Sequence, residues 1–233
     1  MVVSENPWKV PLGKGKIRKS MKKLLAPYTL EDHLIVELIT IARKNWEDWQ
    51  DVFEHGGPIA DNPVLADNAR FRRFCAEYSV GRTIRKDRQD EFRQELRKLG
   101  FSAAILKGTG DALDELERDL RLPFGTKEGK NRITSALSKV AAFVKPDVFV
   151  AWDSFAKKGL NIVRGLSASS SFNTYSDYLK AFDEVWQGQE GKQIRDYVAK
   201  GEGLDKAVER EYRFLSRVLD VYLMKCGGRP SLS

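Results

Sequence analysis

Cysteine and histidine are scarce in this chain: Cys75, Cys226, His33 and His55 are the whole supply. Two isolated thiols form no disulfide framework and fit a reducing compartment, so the expected location is cytoplasmic. The same four residues offer no metal-ligand spacing, and neither a metal site nor a cofactor is expected. Long apolar runs are lacking too. No stretch of about 18 apolar residues occurs, so no membrane span is expected. Pro7, Pro11 and several lysines interrupt the region after Met1, which leaves no signal-peptide core there. Alternating strand patterns are also missing, and that absence points to an all-α protein.

What is present is helical periodicity over an apolar fraction of 42%, with 10% aromatics, in 233 residues. That is enough to bury a sizeable core within one domain. Leu30, Leu34, Leu38, Ile41, Ala42, Trp49, Val52 and Phe53 recur at helical spacing, and Ile35, Val36 and Ile39 broaden the stripe. The pattern predicts one long helix ending at His55, Gly56 and Gly57. Asn62 and Pro63 read as a cap and first turn for a helix over 62–80. Another is expected over 83–99, with Gly100 as its left-handed cap. Shorter elements follow over 102–107 and 111–120. The spacing of Ile133, Ala136, Leu137, Val140 and Val144 predicts a helix stopped before Pro146. Asp153 and Thr174 read as N-caps of helices over 153–163 and 174–186. Two more are expected over 190–200 and 204–225.

These make about nine helices in one body over 29–226, or two closely packed helical lobes with a cleft between them. The single candidate division lies near residue 167, in the small-residue segment 167–171, and 227–233 form a tail. The net charge of +7 is unevenly spread. Residues 1–28 carry Lys9, Lys14, Lys16, Arg18, Lys19, Lys22 and Lys23 against Glu5 alone, so the rest of the chain is close to neutral. Such an arm is either a phosphate-contacting element, with Lys16, Arg18 and Lys19 at its centre, or a solubilising terminus.

One stretch proposes specific chemistry. Lys139 lies on the helix before Pro146, and Asp153 opens the next helix. An N-cap aspartate accepts backbone N–H groups, and the positive end of the helix dipole stabilises its negative charge. A lysine withdrawn from water loses proton affinity and can attack an electrophilic sugar carbon. On the helical wheel Lys139 lies about 120° from the centre of the apolar stripe. It shares that flank with Arg132 and Phe143, a position that lines a cleft or faces solvent.

The lysine-bearing helix, the Pro146 loop and the helix-opening aspartate resemble the catalytic half of the helix-hairpin-helix DNA glycosylase superfamily. The closest resemblance is to its divergent, lysine-using 8-oxoguanine DNA glycosylase-like members. It covers residues 125–160. It implies Lys139 as nucleophile on the sugar and Asp153 as the assisting carboxylate. The family's hairpin, of the form Leu-x-Gly-apolar-Gly, directly precedes its lysine helix. The nearest counterpart here is Leu106, Lys107, Gly108, Thr109 and Gly110, well upstream, and it leads into the acidic Asp111, Asp114, Glu115, Glu117 and Asp119. The basic segment 124–130 takes the hairpin's place in sequence, with Lys127 and Lys130 as candidate phosphate contacts beside Arg132.

Arg70, Phe71, Arg72, Arg73 and Phe74 interleave basic and aromatic residues. Arg70 and Arg73 are candidate backbone contacts. Phe71, Phe74, Cys75 and Tyr78 recur at helical spacing and read as core. The expectation is a DNA-binding helical protein resembling a base-excision glycosylase/lyase, with DNA as partner and a nucleoid-associated place in the cytoplasm. The alternatives are a non-catalytic module that binds nucleic acid or protein through its basic arm, and a helical scaffold whose last helix docks a partner.

Overall fold

The computed structural model describes residues 30–125, 132–200 and 212–229. Within them lie α1 (Asp32–Glu47), α2 (Gln50–Phe53), α3 (Pro63–Ala66), α4 (Asn68–Glu77), α5 (Gln89–Leu96) and α6 (Leu99–Lys107). They are followed by α7 (Gly110–Phe124), α8 (Thr134–Val144), α9 (Ser154–Val163), α10 (Tyr175–Gln187), α11 (Gln189–Ala199) and α12 (Tyr212–Cys226). The protein is all-α. Extended pairing among the described residues is limited to one antiparallel bridge between Ile84 and Gly125. No described helix is long and apolar enough to cross a membrane.

Among the described residues twelve α-helices stand against the expected nine or so, because local capping breaks two long periodic runs and the short element expected over 102–107 is a full helix, α6. The first run stops at Glu47, and the turn at Asp48 and Trp49 rotates the Trp49 ring into the core. The stripe of α1 is centred on Ile35, Leu38, Ile39, Ala42 and Trp46, while Val36 stays exposed. Asn62 caps α3 as expected, accepting from Val64 N–H at 3.1 Å. Asp67 then interrupts the run and caps α4, accepting from Arg70 N–H at 2.6 Å. The expected glycine cap also moves. Gly100 lies inside α6, and the left-handed residue is Gly108, at φ +66°. There a side chain would be strained, so glycine closes the helix. Thr109 caps α7, which continues past Pro123 to Phe124.

A single apolar cluster runs from Leu30 to Cys226 and includes residues on both sides of position 167, such as Leu160 and Tyr175. Its densest contact is between α9 and α12, which lie almost backbone to backbone. A Cβ added at Gly159 would fall 1.8 Å from the Leu223 carbonyl oxygen, and one at Gly227 would fall 1.9 Å from that of Phe155. No rotamer relieves such an overlap, since both partners are main chain. α12 also packs against α1, so the last helix joins the first to the segment that Asp153 opens.

Gly159→Ala should therefore lower the unfolding free energy by about 3 kcal/mol, as overpacking against rigid backbone does. Gly100→Ala, whose added Cβ meets nothing within 4 Å, should change it by less than about 1 kcal/mol. Urea unfolding followed by circular dichroism measures both.

Candidate active site

The segment 150–153 is held by side chains rather than by a ladder. The Tyr175 hydroxyl donates to the Val150 carbonyl at 2.7 Å and accepts from Val150 N–H at 3.1 Å. The Tyr178 hydroxyl donates to the Ala151 carbonyl at 3.1 Å. Trp152 N–H donates to Ser138 Oγ at 2.9 Å, and Ser135 Oγ donates to the Trp152 carbonyl at 3.1 Å. Burial pushes both tyrosine phenols up, so they remain neutral donors. Asp153 then caps α9, its Oδ1 accepting from Phe155 N–H at 2.8 Å and Ala156 N–H at 3.4 Å. Ser135 and Ser138 sit on α8 beside Lys139, so the aspartate is indexed directly to the helix that carries the lysine.

Lys139 is more deeply placed than its wheel position predicts, with 8% of its surface exposed. The reason is tertiary. Phe143, one turn further along the same flank, inserts into a ring cluster from the α1–α2 turn, α2 and the C-terminal end of α4. Its centroid lies 5.6 Å from Trp49, 4.8 Å from Phe53, 4.9 Å from Phe74 and 4.6 Å from Tyr78. The lysine beside it is enclosed, and Nζ donates to the Tyr78 carbonyl at 2.6 Å. Burial lowers its proton affinity; Asp153 opposes that shift, while Arg82 and Arg229 reinforce it. The next residue, Ser79, has a left-handed backbone at φ +55°.

Lys139 and Asp153 line one cleft of about 690 Å³. Among the described residues six cations border it: Lys139, Lys44, Arg82, Lys157, Arg217 and Arg229. Asp48, Glu77 and Asp153 are its acids, and Glu77 is engaged by Arg73 at 2.6 Å and by Trp49 Nε1 at 3.1 Å. Among the described residues Lys44, Arg82, Lys157 and Arg229 have no carboxylate within ion-pair distance. Lys157 Nζ sits 4.4 Å from the Trp152 ring centroid, and Arg229 reaches the Met224 sulfur at 2.8 Å. Burial lowers the proton affinity of Lys157 as well, with Asp153 opposing it. Unpaired cations around a concave wall make a receptor for a polyanion.

Arg70, Arg73 and Arg132, singled out from sequence, do not line this cleft. Phe71, Phe74 and Cys75 are core, as expected. Arg70 pairs with Asp51 and Arg73 with Glu77, and both guanidinium groups lie over the Trp49 ring, at 5.3 and 5.1 Å. Arg132 donates to the Asn173 carbonyl at 2.5 Å and lies 3.6 Å from Asp114. Asp114 and Glu117, part of the acidic run after Gly110, are turned inward. Asp114 accepts from Tyr175 and Ser176 N–H, and Glu117 from Ile133 N–H. Lys16, Arg18 and Lys19, with the rest of the basic arm, lie outside the described residues, as do Lys127 and Lys130. Sequence reading missed Lys44, Lys157 and Arg229, which are scattered along the chain. It also missed the Ser135–Ser138 clamp, although a Ser at i and i+3 beside the lysine was visible.

Asp220, 2% exposed on α12, pairs with Arg217. Its Oδ1 has no hydrogen-bond partner, and burial pushes its carboxyl up to about 6. No three of the described His, Cys, Asp and Glu residues form a metal-ligating group. Comparison with protein-family models, with curated proteins and with solved structures finds no match to this chain.

Asp220 generates a signed pH dependence. Between the ordinary aspartate value of 3.8 and about 6, the folded state binds a proton that the unfolded state has released. Stability from this group is therefore complete below that window, falls as pH rises through it, and levels above, by on the order of 3 kcal/mol. The difference between wild type and Asp220→Asn in urea melts should follow that course.

Proposed function

We propose that this protein acts on DNA as a base-excision glycosylase with lyase activity. Lys139 is the nucleophile and Asp153 the carboxylate that stabilises positive charge on the sugar. The observation that carries the reading is the juxtaposition of a desolvated lysine amine and a helix-capping aspartate in one cleft bordered by unpaired cations. A nucleotide turned out of the duplex brings C1′ to Lys139. The neutral amine attacks C1′, the glycosidic bond breaks, and the base departs with the bonding pair and takes up a proton. Charge that develops on the sugar meets Asp153, held in place by its two backbone donors. Ring opening then leaves an imine on Lys139. Flanking phosphates are gripped by Arg82, Lys44 and Arg229.

A second reading, non-catalytic binding of nucleic acid in the same cleft, is favoured by one contact: the Lys139 amine is engaged by the Tyr78 carbonyl. The two readings part in one experiment. Under the first, borohydride treatment of the protein with duplex DNA carrying abasic or oxidised-base sites traps a covalent adduct. Lys139→Gln lowers its yield by about a hundredfold or more. An adduct that persists unchanged in that variant excludes Lys139, and salt-sensitive binding with no adduct selects the second reading.

Both readings share a prediction about grip. Arg82→Ala should weaken DNA binding and reduce the slope of log K against log salt by about one phosphate contact. Arg70→Ala, already paired with Asp51, should leave that slope unchanged. Fluorescence anisotropy titrations at several salt concentrations measure both.

A further inference from the structure

Beside Lys139 and Asp153 the cleft is lined by Lys157. Lys157 lies in the first turn of α9, where its N–H donates to the Asp153 carbonyl at 3.0 Å, so its backbone is fixed relative to the capping aspartate. Its amine rests over the Trp152 ring at 4.4 Å. That ring belongs to the residue whose N–H and carbonyl are both bound by serines of the Lys139 helix. Two amines and one carboxylate therefore face a common space from elements locked to each other. The amines differ in engagement: Lys139 Nζ is hydrogen-bonded to the Tyr78 carbonyl, whereas Lys157 Nζ meets only the ring face among the described residues.

We propose that Lys157 is the base of the strand-cutting step, taking the C2′ proton from the sugar held on Lys139. The inference rests on the reading of Lys139 as nucleophile and deepens it. Once Lys139 is joined to C1′ as an iminium, the C2′ hydrogen is acidified. The lone pair of the neutral Lys157 amine forms the new N–H bond, and the C2′–H pair flows into a C1′–C2′ enamine. The enamine collapses toward C3′, the C3′–O bond breaks, and the 3′-phosphate leaves with its electron pair. A conjugated imine remains, and water hydrolyses it to free Lys139. No oxidant or reductant enters. Burial of Lys157 raises the fraction of neutral amine that the step requires, and the aromatic face beneath it receives the ammonium that the step creates.

The test separates trapping from cutting on abasic-site duplex DNA. Lys157→Arg keeps the positive charge and the stacking, but a guanidinium does not serve as a base near neutral pH. Lys157→Gln keeps the stem and removes the base. Lys157→Arg should form the borohydride-trapped adduct within about twofold of wild type and cut the strand about a hundredfold more slowly, the size of a lost general base, whereas Lys157→Gln, which also removes a cleft cation, should lower cutting about a hundredfold more than it lowers adduct. Their adduct yield itself reports an intact fold. Cutting by Lys157→Arg at the wild-type rate would overturn the proposal, and so would equal losses of adduct and cutting in both variants. A wild type that forms adduct without cutting also overturns it while leaving Lys139 as nucleophile. A wild type that forms no adduct fails on the Lys139 reading itself, and the two failures are thus distinct.

Discussion

The close crossing of α9 and α12 is the constraint on which the site depends. At Gly159 and Gly227 the two main chains approach so nearly that no side chain fits between them. The contact places the N-terminus of α9, with Asp153 and Lys157, over α12, which carries Arg217, Val221 and Met224 to the cleft wall. Because α12 also packs on α1, the crossing brings Lys44 of the first helix to the same cleft. Residues remote in sequence thus share one electrostatic environment.

The second organising feature is a backbone segment without regular structure whose polar groups are met mostly by side chains. Buried N–H and carbonyl groups require partners, and at 150–152 these come from Ser135, Ser138, Tyr175 and Tyr178. The arrangement allows an extended stretch to sit inside an all-helical core and still present Asp153 at a defined point. It also couples α8 to α10 through the segment that leads into α9's cap. The Phe143 cluster completes the enclosure on the other side, and the desolvation it imposes lowers the proton affinity of Lys139.

Helix type was legible in sequence because apolar spacing and capping residues are local signals. Asn62, Asp153 and Thr174 act as caps where their residue type says they should. Helix limits were less legible. Asp67 was hidden inside a periodic run, and Gly100 and Gly108 are equally good candidates until the backbone angle is known. The pair Lys139 and Asp153 was visible as chemistry, and its shared cleft follows from packing. The arginines around Phe71 illustrate the converse. Density of charge in sequence suggested a phosphate grip, yet Asp51 and Glu77 arrive from neighbouring turns and engage Arg70 and Arg73.

By itself, then, the amino-acid order determined an all-helical chain, its main caps, and a lysine and an aspartate of useful type on successive helices. These depend on interactions within a turn or two, which spacing records. Tertiary structure alone decided that Lys139 is buried rather than flanking, that Arg132 serves the fold, and that Lys44, Arg82, Lys157 and Arg229 meet around one cavity. Burial and charge pairing depend on which distant surfaces come together. Here the surfaces are joined by a glycine crossing and an aromatic cluster that no local pattern encodes.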